Sequence, residues 1–176
     1  MVVSDTGPLI SAFQSNRFSL LHALLGDIAV PRIVAEELER HGWGEELRCS
    51  AIHVVDLLEK ELSEAVELAG QIANHSRRPN NIGHDGESQA IVLACRSEPT
   101  YDLLLIDERI ARETAKSLGL EVTGFPGVLL MGCRSKLIGP DDLKSCLHEC
   151  SQQGTYYGKS LIESVYQMAL NSWRTT

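Results

Sequence analysis

Asp5, Glu37, Glu87 and Asp107 are far apart in this chain but share a local setting. Asp5 follows the apolar start Met1-Val2-Val3, and Asp107 follows Leu103-Leu104-Leu105-Ile106, so each aspartate stands at the end of a strand-like run. Glu37 and Glu87 fall on the apolar sides of two helical segments. Carboxylates gathered in partly buried surroundings lose hydration and repel one another unless a cation neutralises them. Four hard oxygen donors without a His or Cys cluster point to Mg2+ or Mn2+ rather than zinc. Such ions serve phosphate chemistry. In phosphodiester hydrolysis they orient and deprotonate a water, neutralise nonbridging oxygens and stabilise the departing oxygen, with no need for a protein nucleophile.

Helical spacing separates the two glutamates from their neighbours. In 32–41, Glu37 lies four residues after Ile33 and three after Val34, and so shares their face, whereas Glu36 and Glu39 point away. Glu87 is followed at three, four and seven residues by Ala90, Ile91 and Ala94, positions that pack on a sheet. Each acid also has a bland reading. An Asp after an apolar run serves as a helix N-cap or turn residue, and a Glu in a first helical turn favours the helix dipole. Two strand-end aspartates together with two inward glutamates favour a site.

Basic residues near these acids are candidate substrate contacts. Arg109, Arg112 and Lys116 form one stripe opposite Ile110, Ala111, Ala115 and Leu118, along which an extended anion can lie; a solvated outer face explains the same stripe. Arg109 and Arg112 are nearest the acids. Residues 75–85, rich in Asn, Gly, Arg and Pro, read as a loop running into Gly86-Glu87, where Arg77 and Arg78 either meet an anionic substrate or serve a plain surface connection. The five cysteines lack CxxC spacing and read neither as a disulfide framework nor as structural zinc; Cys146 and Cys150, one helical turn apart, read as small apolar residues on a packed face, with metal binding or oxidative pairing as the alternative.

Alternating apolar runs and amphipathic segments must position these groups. Strands are expected at 1–4, 28–30, 52–55, 103–106 and 121–123, and helices at 8–14, 19–25, 32–41, 59–74, 86–97, 110–118, 127–136, 141–153 and 159–171. Gly119 suits a helix stop, and Pro31 and Pro140 suit first-turn positions. The pattern predicts βα units on a largely parallel sheet, with Asp5 and Asp107 emerging in the crevice beyond the strand ends. The whole of 1–176 reads as a single domain, with three helices after residue 124 covering the sheet or forming a partner surface. Tyr156-Tyr157 and Trp173 read as core packing or tail contacts, or as anchors of a protein interface. A net charge of −8 argues against a protein that grips nucleic acid by bulk electrostatics, but not against a nuclease whose acids are part of that charge. No apolar stretch approaches the roughly 20 residues that span a bilayer, and no charged-then-apolar leader precedes the first strand; the expectation is a soluble cytoplasmic protein, not a membrane protein.

Four elements in order resemble the motifs of PIN domains: Val3-Ser4-Asp5-Thr6-Gly7-Pro8-Leu9-Ile10, Val30-Pro31-x-x-Val34-x-x-Glu37-Leu38, Gly86-Glu87-Ser88-x-Ala90-Ile91, and Leu105-Ile106-Asp107-Glu108-Arg109-x-Ala111-Arg112. With Gly119-Leu120-x-Val122-Thr123-Gly124 and Gly127-Val128-Leu129-Leu130, the chain is most similar to the prokaryotic toxin-like (VapC-like) branch, over nearly its whole length. The resemblance implies a three-layer α/β/α fold with a central, mostly parallel sheet and extra C-terminal helices. It also implies a Mg2+- or Mn2+-dependent endoribonuclease, held inactive by a cognate antitoxin and often homodimeric. On matching positions Asp5, Glu37, Glu87 and Asp107 are the catalytic, metal-binding acids, and Thr6 is a supporting hydroxyl on the substrate side with Arg109 and Arg112. Glu87 stands where many members carry Asp, and Glu108 where relatives often carry a second Asp. Asp85 is a further acid whose simpler role is an N-cap.

Other classes fit less well. A haloacid-dehalogenase-like phosphotransferase wants a second Asp two residues after Asp5, and position 7 is Gly. A receiver module needs an acid pair and a placed Lys that the chain does not assemble. The serious alternative is a PIN-like fold that is catalytically weak or inactive and serves as a nucleic-acid or protein binding module.

Overall fold

The computed structural model describes residues 1–49, 51–75 and 84–174. Five strands, β1 (Val2–Ser4), β2 (Ile28–Pro31), β3 (Ile52–Val55), β4 (Leu104–Leu105) and β5 (Val122–Thr123), form one sheet in the order β3-β2-β1-β4-β5. Every neighbouring pair is parallel. That geometry follows from the intervals, each long enough for a helical crossover. α1 (Thr6–Gln14) and α2 (Phe18–Leu25) separate β1 from β2; α3 (Arg32–Arg40) and a 3₁₀ turn (Glu46–Arg48) precede β3. α4 (Glu59–His75) and α5 (Asp85–Ala94) precede β4, α6 (Arg109–Ser117) precedes β5, and α7 (Phe125–Arg134), α8 (Pro140–Gln152) and α9 (Lys159–Arg174) follow it. The described residues thus hold the expected five strands and nine α-helices.

A parallel sheet is covered on both faces, which is why its strands read as unbroken apolar runs. Alternate residues go to opposite sides: Val2, Ile28, Val30 and Leu105 pack with α1, α2, α3, α7, α8 and α9, while Val3, Ala29, Leu104 and Ile106 pack with α4, α5 and α6. These are the two outer layers of a three-layer α/β/α fold. Leu9, Leu21, Leu129 and Leu147 are fully buried in the first core, where truncating one to Ala costs about 2–5 kcal/mol. The helices after β5 therefore cover the sheet. Cys146 and Cys150 are buried free thiols in that layer, as small apolar residues would be.

Some boundaries differ from expectation for local reasons. α1 starts at Thr6 rather than Pro8, because a proline is tolerated in a first turn, where its missing N–H has no intrahelical partner. Pro31 ends β2 and flanks α3 instead of entering its first turn, whereas Pro140 does open α8. Gly119, at φ +85° just past α6, supplies the left-handed residue that stops the helix. Arg77 and Arg78 lie outside the described residues. Among those described, no helix is long and apolar enough to cross a membrane.

Candidate active site

The strand order reverses between β1 and β4, which pair directly with Val3 opposite Leu104 and Ser4 opposite Leu105. Open α/β sheets bind ligands in the crevice outside such a switch point. Asp5 leaves β1 and Asp107 follows β4 by two residues, and the Asp5 N–H donates to the Leu105 carbonyl at 2.9 Å. Register alone brings these two acids, 102 positions apart in sequence, to the same crevice.

Asp5 stands at its centre. It occupies the N-cap position of α1, where its carboxylate makes no capping hydrogen bond of normal geometry with the described residues. One oxygen, Oδ1, and Glu37 Oε2 lie 3.2 and 3.1 Å from the point where a side chain on Gly86 would begin. The other, Oδ2, and Asp107 Oδ2 lie 4.0 and 3.8 Å from the corresponding point on Gly7. The two glycines are bare where the carboxylates crowd. Burial first, then the negative charge of Glu87, pushes the Asp5 carboxyl well above the ordinary carboxylate range; Glu37 and Asp107 add to the rise, and the Thr6 backbone N–H offsets part of it.

Glu37 points inward from α3 while Glu36 and Glu39 are exposed, as the spacing predicts. The Thr6 hydroxyl donates to Glu37 Oε2 at 2.5 Å, and Arg40 Nη2 approaches Oε1 at 3.9 Å. Glu87 sits in the first turn of α5, and burial, opposed by its own backbone N–H and reinforced by Glu37, Glu108 and Asp85, raises its carboxyl to about 7. Ala90, Ile91 and Ala94 behind it are all buried.

Asp107 is the most tightly held of the four. Its Oδ1 accepts the Phe125 N–H at 2.9 Å, at the start of α7, and its Oδ2 accepts the Tyr157 hydroxyl at 2.9 Å. Burial raises its carboxyl, while Tyr157, the Phe125 N–H and the Arg112 charge hold it down. Arg112 shares with Asp107 a cavity of about 390 Å³, and its Nε is buried with no hydrogen-bond partner among the described residues.

Other candidates fall elsewhere. Arg109 pairs with Glu113 at 2.8 Å on the exposed side of α6, so the basic stripe divides, with Arg109 on its solvated part and Arg112 toward the acid. Glu108 caps α6, its carboxylate accepting the Ala111 N–H at 2.6 Å. Asp85 is exposed as the first residue of α5, and His84, not Asp85, holds the N-cap position. Two contributors were not read from sequence: Tyr157, and His84, whose buried Nδ1 lies 3.7 Å from Glu87 Oε1 without a hydrogen bond. The adjacent tyrosines were visible as a pair, but nothing local to them indicates a contact with position 107.

The four acids adjoin one another, yet among the described residues no three His, Cys, Asp or Glu side chains are spaced to grip one metal ion directly. Thr6, Phe125 and Tyr157 hold Glu37 and Asp107 in their present rotamers. The donor set still fits a hard cation. Mg2+ is usually bound through one or two carboxylates and keeps several waters, and the raised Asp5 and Glu87 carboxyls mark a place short of positive charge. A family model described as a PIN domain matches residues 1–171. No curated protein matches the sequence.

Proposed function

The chain belongs to the PIN-domain family, whose members are generally nucleases that use divalent metal ions, and on that footing we propose that it is a Mg2+- or Mn2+-dependent endoribonuclease. The observation that carries this reading is the gathering of acids at the switch point, where the Asp5 oxygens lie beside Glu37 Oε2 and Asp107 Oδ2 and within reach of the Glu87 charge. Asp5, Glu37, Glu87 and Asp107 would hold the ion, one or two of them directly and the others through its waters. Such an ion supplies charge neutralisation at the scissile phosphate and acidifies a water. Thr6 orients Glu37 through its hydroxyl. Tyr157 and the Phe125 N–H fix both oxygens of Asp107. Arg112, beside Asp107, brings a positive charge to a phosphate entering an otherwise acidic crevice.

The test is purified protein on a panel of single-stranded and structured RNAs with Mg2+, Mn2+ or chelator, beside Asp5→Asn and Asp107→Asn. Cleavage that needs metal and is lost in both variants supports the proposal. Equal cleavage by all three proteins would sink it. That the described residues hold no ready-made three-ligand cage favours one other reading, a PIN-like binding module without strong catalysis; failure to cleave any RNA, with binding retained, decides for it.

The proposal extends to a toxin-like (VapC-like) role in the cytoplasm, with the chain a homodimer restrained by a small cognate antitoxin. The motif order from Val3-Ser4-Asp5-Thr6 to Gly127-Val128-Leu129-Leu130 supports it. Induced expression should arrest growth, Asp5→Asn should relieve the arrest, and co-expression of the adjacent reading frame should restore growth. Arrest by the Asp5→Asn variant would count against this role.

A further inference from the structure

The cavity beside Asp107 opens between α6, α7, α9 and the connection from α8 to α9, and its chemistry is divided. Its inner end carries Asp107 and Arg112; its rim carries Tyr156, Leu161 and Met168. Those three side chains are 84%, 44% and 49% exposed. Large apolar groups left in water around a concavity beside a catalytic acid are unlike singly scattered surface residues. At about 390 Å³ the space is in the size range of sites for small organic ligands.

Two neighbours fix the geometry of the rim. Tyr157 is turned inward and tied to Asp107 and Ser11, which holds the next ring, Tyr156, facing solvent one residue away. Arg112 lines the cavity near enough to Asp107 to lower its carboxyl. A guanidinium lining this space beside Asp107 offers an incoming anion a charged, forked donor. A nucleotide offers both parts: a phosphate for Arg112 and a flat ring for Tyr156 and the apolar rim.

We propose that this cavity is a nucleotide subsite for single-stranded RNA, in which the phosphate next to the scissile one meets Arg112 while its base stacks on Tyr156 against Leu161 and Met168. The inference rests on the ribonuclease reading and adds to it the residues that hold the flanking nucleotide. A base inside a duplex cannot enter, because its faces are already stacked on its neighbours, whereas unpaired bases are routinely held on aromatic side chains and guanidinium planes. The pairing of one cation with an exposed apolar rim suits a nucleotide better than an apolar peptide, which would leave Arg112 unsatisfied.

The test is fluorescence anisotropy in chelator, where no cleavage occurs, with end-labelled single-stranded homopolymer RNAs and a duplex of equal length, on the full chain and on Tyr156→Ala, Tyr156→Phe and Arg112→Gln. Tyr156→Ala should weaken single-strand binding about ten-fold and leave duplex binding and the melting temperature unchanged. Tyr156→Phe should retain near-native affinity. Arg112→Gln should weaken binding and flatten its salt dependence by about one counter-ion. Unchanged single-strand affinity in Tyr156→Ala overturns the subsite and leaves the nuclease reading standing. Loss of self-association or of a protein partner in that variant, with RNA affinity intact, also overturns it and assigns the cavity to protein. If the wild type neither binds nor cleaves any RNA, the functional reading itself fails and the subsite falls with it.

Discussion

The Tyr157 hydroxyl stands 2.9 Å from Asp107 Oδ2 and 2.7 Å from Ser11 Oγ, joining the connection after α8 to the acid beyond β4 and to the middle of α1. Burial and the Asp107 charge both raise this phenol's pKa, so it remains a donor at any working pH. Tyr157→Phe keeps the ring and removes the donor. The expected cost is about 1 kcal/mol in stability, with a fall in turnover of roughly ten-fold and little change in RNA affinity, because the altered group is the carboxylate's support. Thermal melts beside single-turnover cleavage check this; full activity would show that Asp107 needs no such support.

Gly124 is constrained by contact rather than by its backbone. Its φ of −111° and ψ of 177° suit any residue, but a methyl group there would land on Asp107 Oδ1. Gly124→Ala must displace either the carboxylate or the start of α7. The expected result is a destabilisation on the order of 2 kcal/mol together with loss of cleavage, read by denaturant melts and activity. A variant that folds and cleaves normally would mean that Asp107 can move freely.

The Glu87 carboxyl, raised from an ordinary 4.5 to about 7 by burial and by its acidic neighbours, makes stability depend on pH. Between those values the folded chain keeps a proton that the unfolded chain has lost. The group therefore costs nothing below about 4.5, and its penalty grows as pH rises and is complete above 7. The metal-free protein should lose about 2 kcal/mol from this source between pH 5 and pH 8. Glu87→Gln should flatten that slope, which melting temperatures across the range will show. An equally steep slope in the variant would place the effect elsewhere.

Asp5 tests the same logic from the centre of the site. Its burial among three other carboxylates is unfavourable without a cation, so Asp5→Asn should melt higher than the wild type at pH 8 in chelator while losing at least a hundred-fold in cleavage. Adding Mn2+ should raise the wild-type melting temperature, by about 2.7 kcal/mol of stability at a hundred times the dissociation constant, and should move the variant much less. A variant less stable than the wild type in chelator would show that the carboxylate serves the fold.

Much of this was legible because it was local. Continuous apolar runs ending in Asp5 and Asp107 marked buried parallel strands, and the three- and four-residue offsets of Glu37 from Val34 and Ile33 were enough to turn it inward. Arg109 and Arg112 were less separable. Both belong to one helical stripe, and only the neighbourhood of α6, with Glu113 on one side and Asp107 on the other, sends them to different tasks. Glu108 resembled a second site acid, but one residue's change of direction makes it a helix cap. Tyr157 depends on a contact across 50 positions that no periodicity encodes.

The order in which this site is assembled follows from where its parts lie along the chain. β1, the middle strand of the sheet, is made before its neighbours, and one of its two edges stays open until β4 arrives about a hundred residues later, with the Tyr157 donor later still. During synthesis, therefore, the ribosome carries a chain whose first acid has long emerged while its last support is not yet made. The crevice is therefore complete only once residue 157 has emerged, however long its first acid has been exposed.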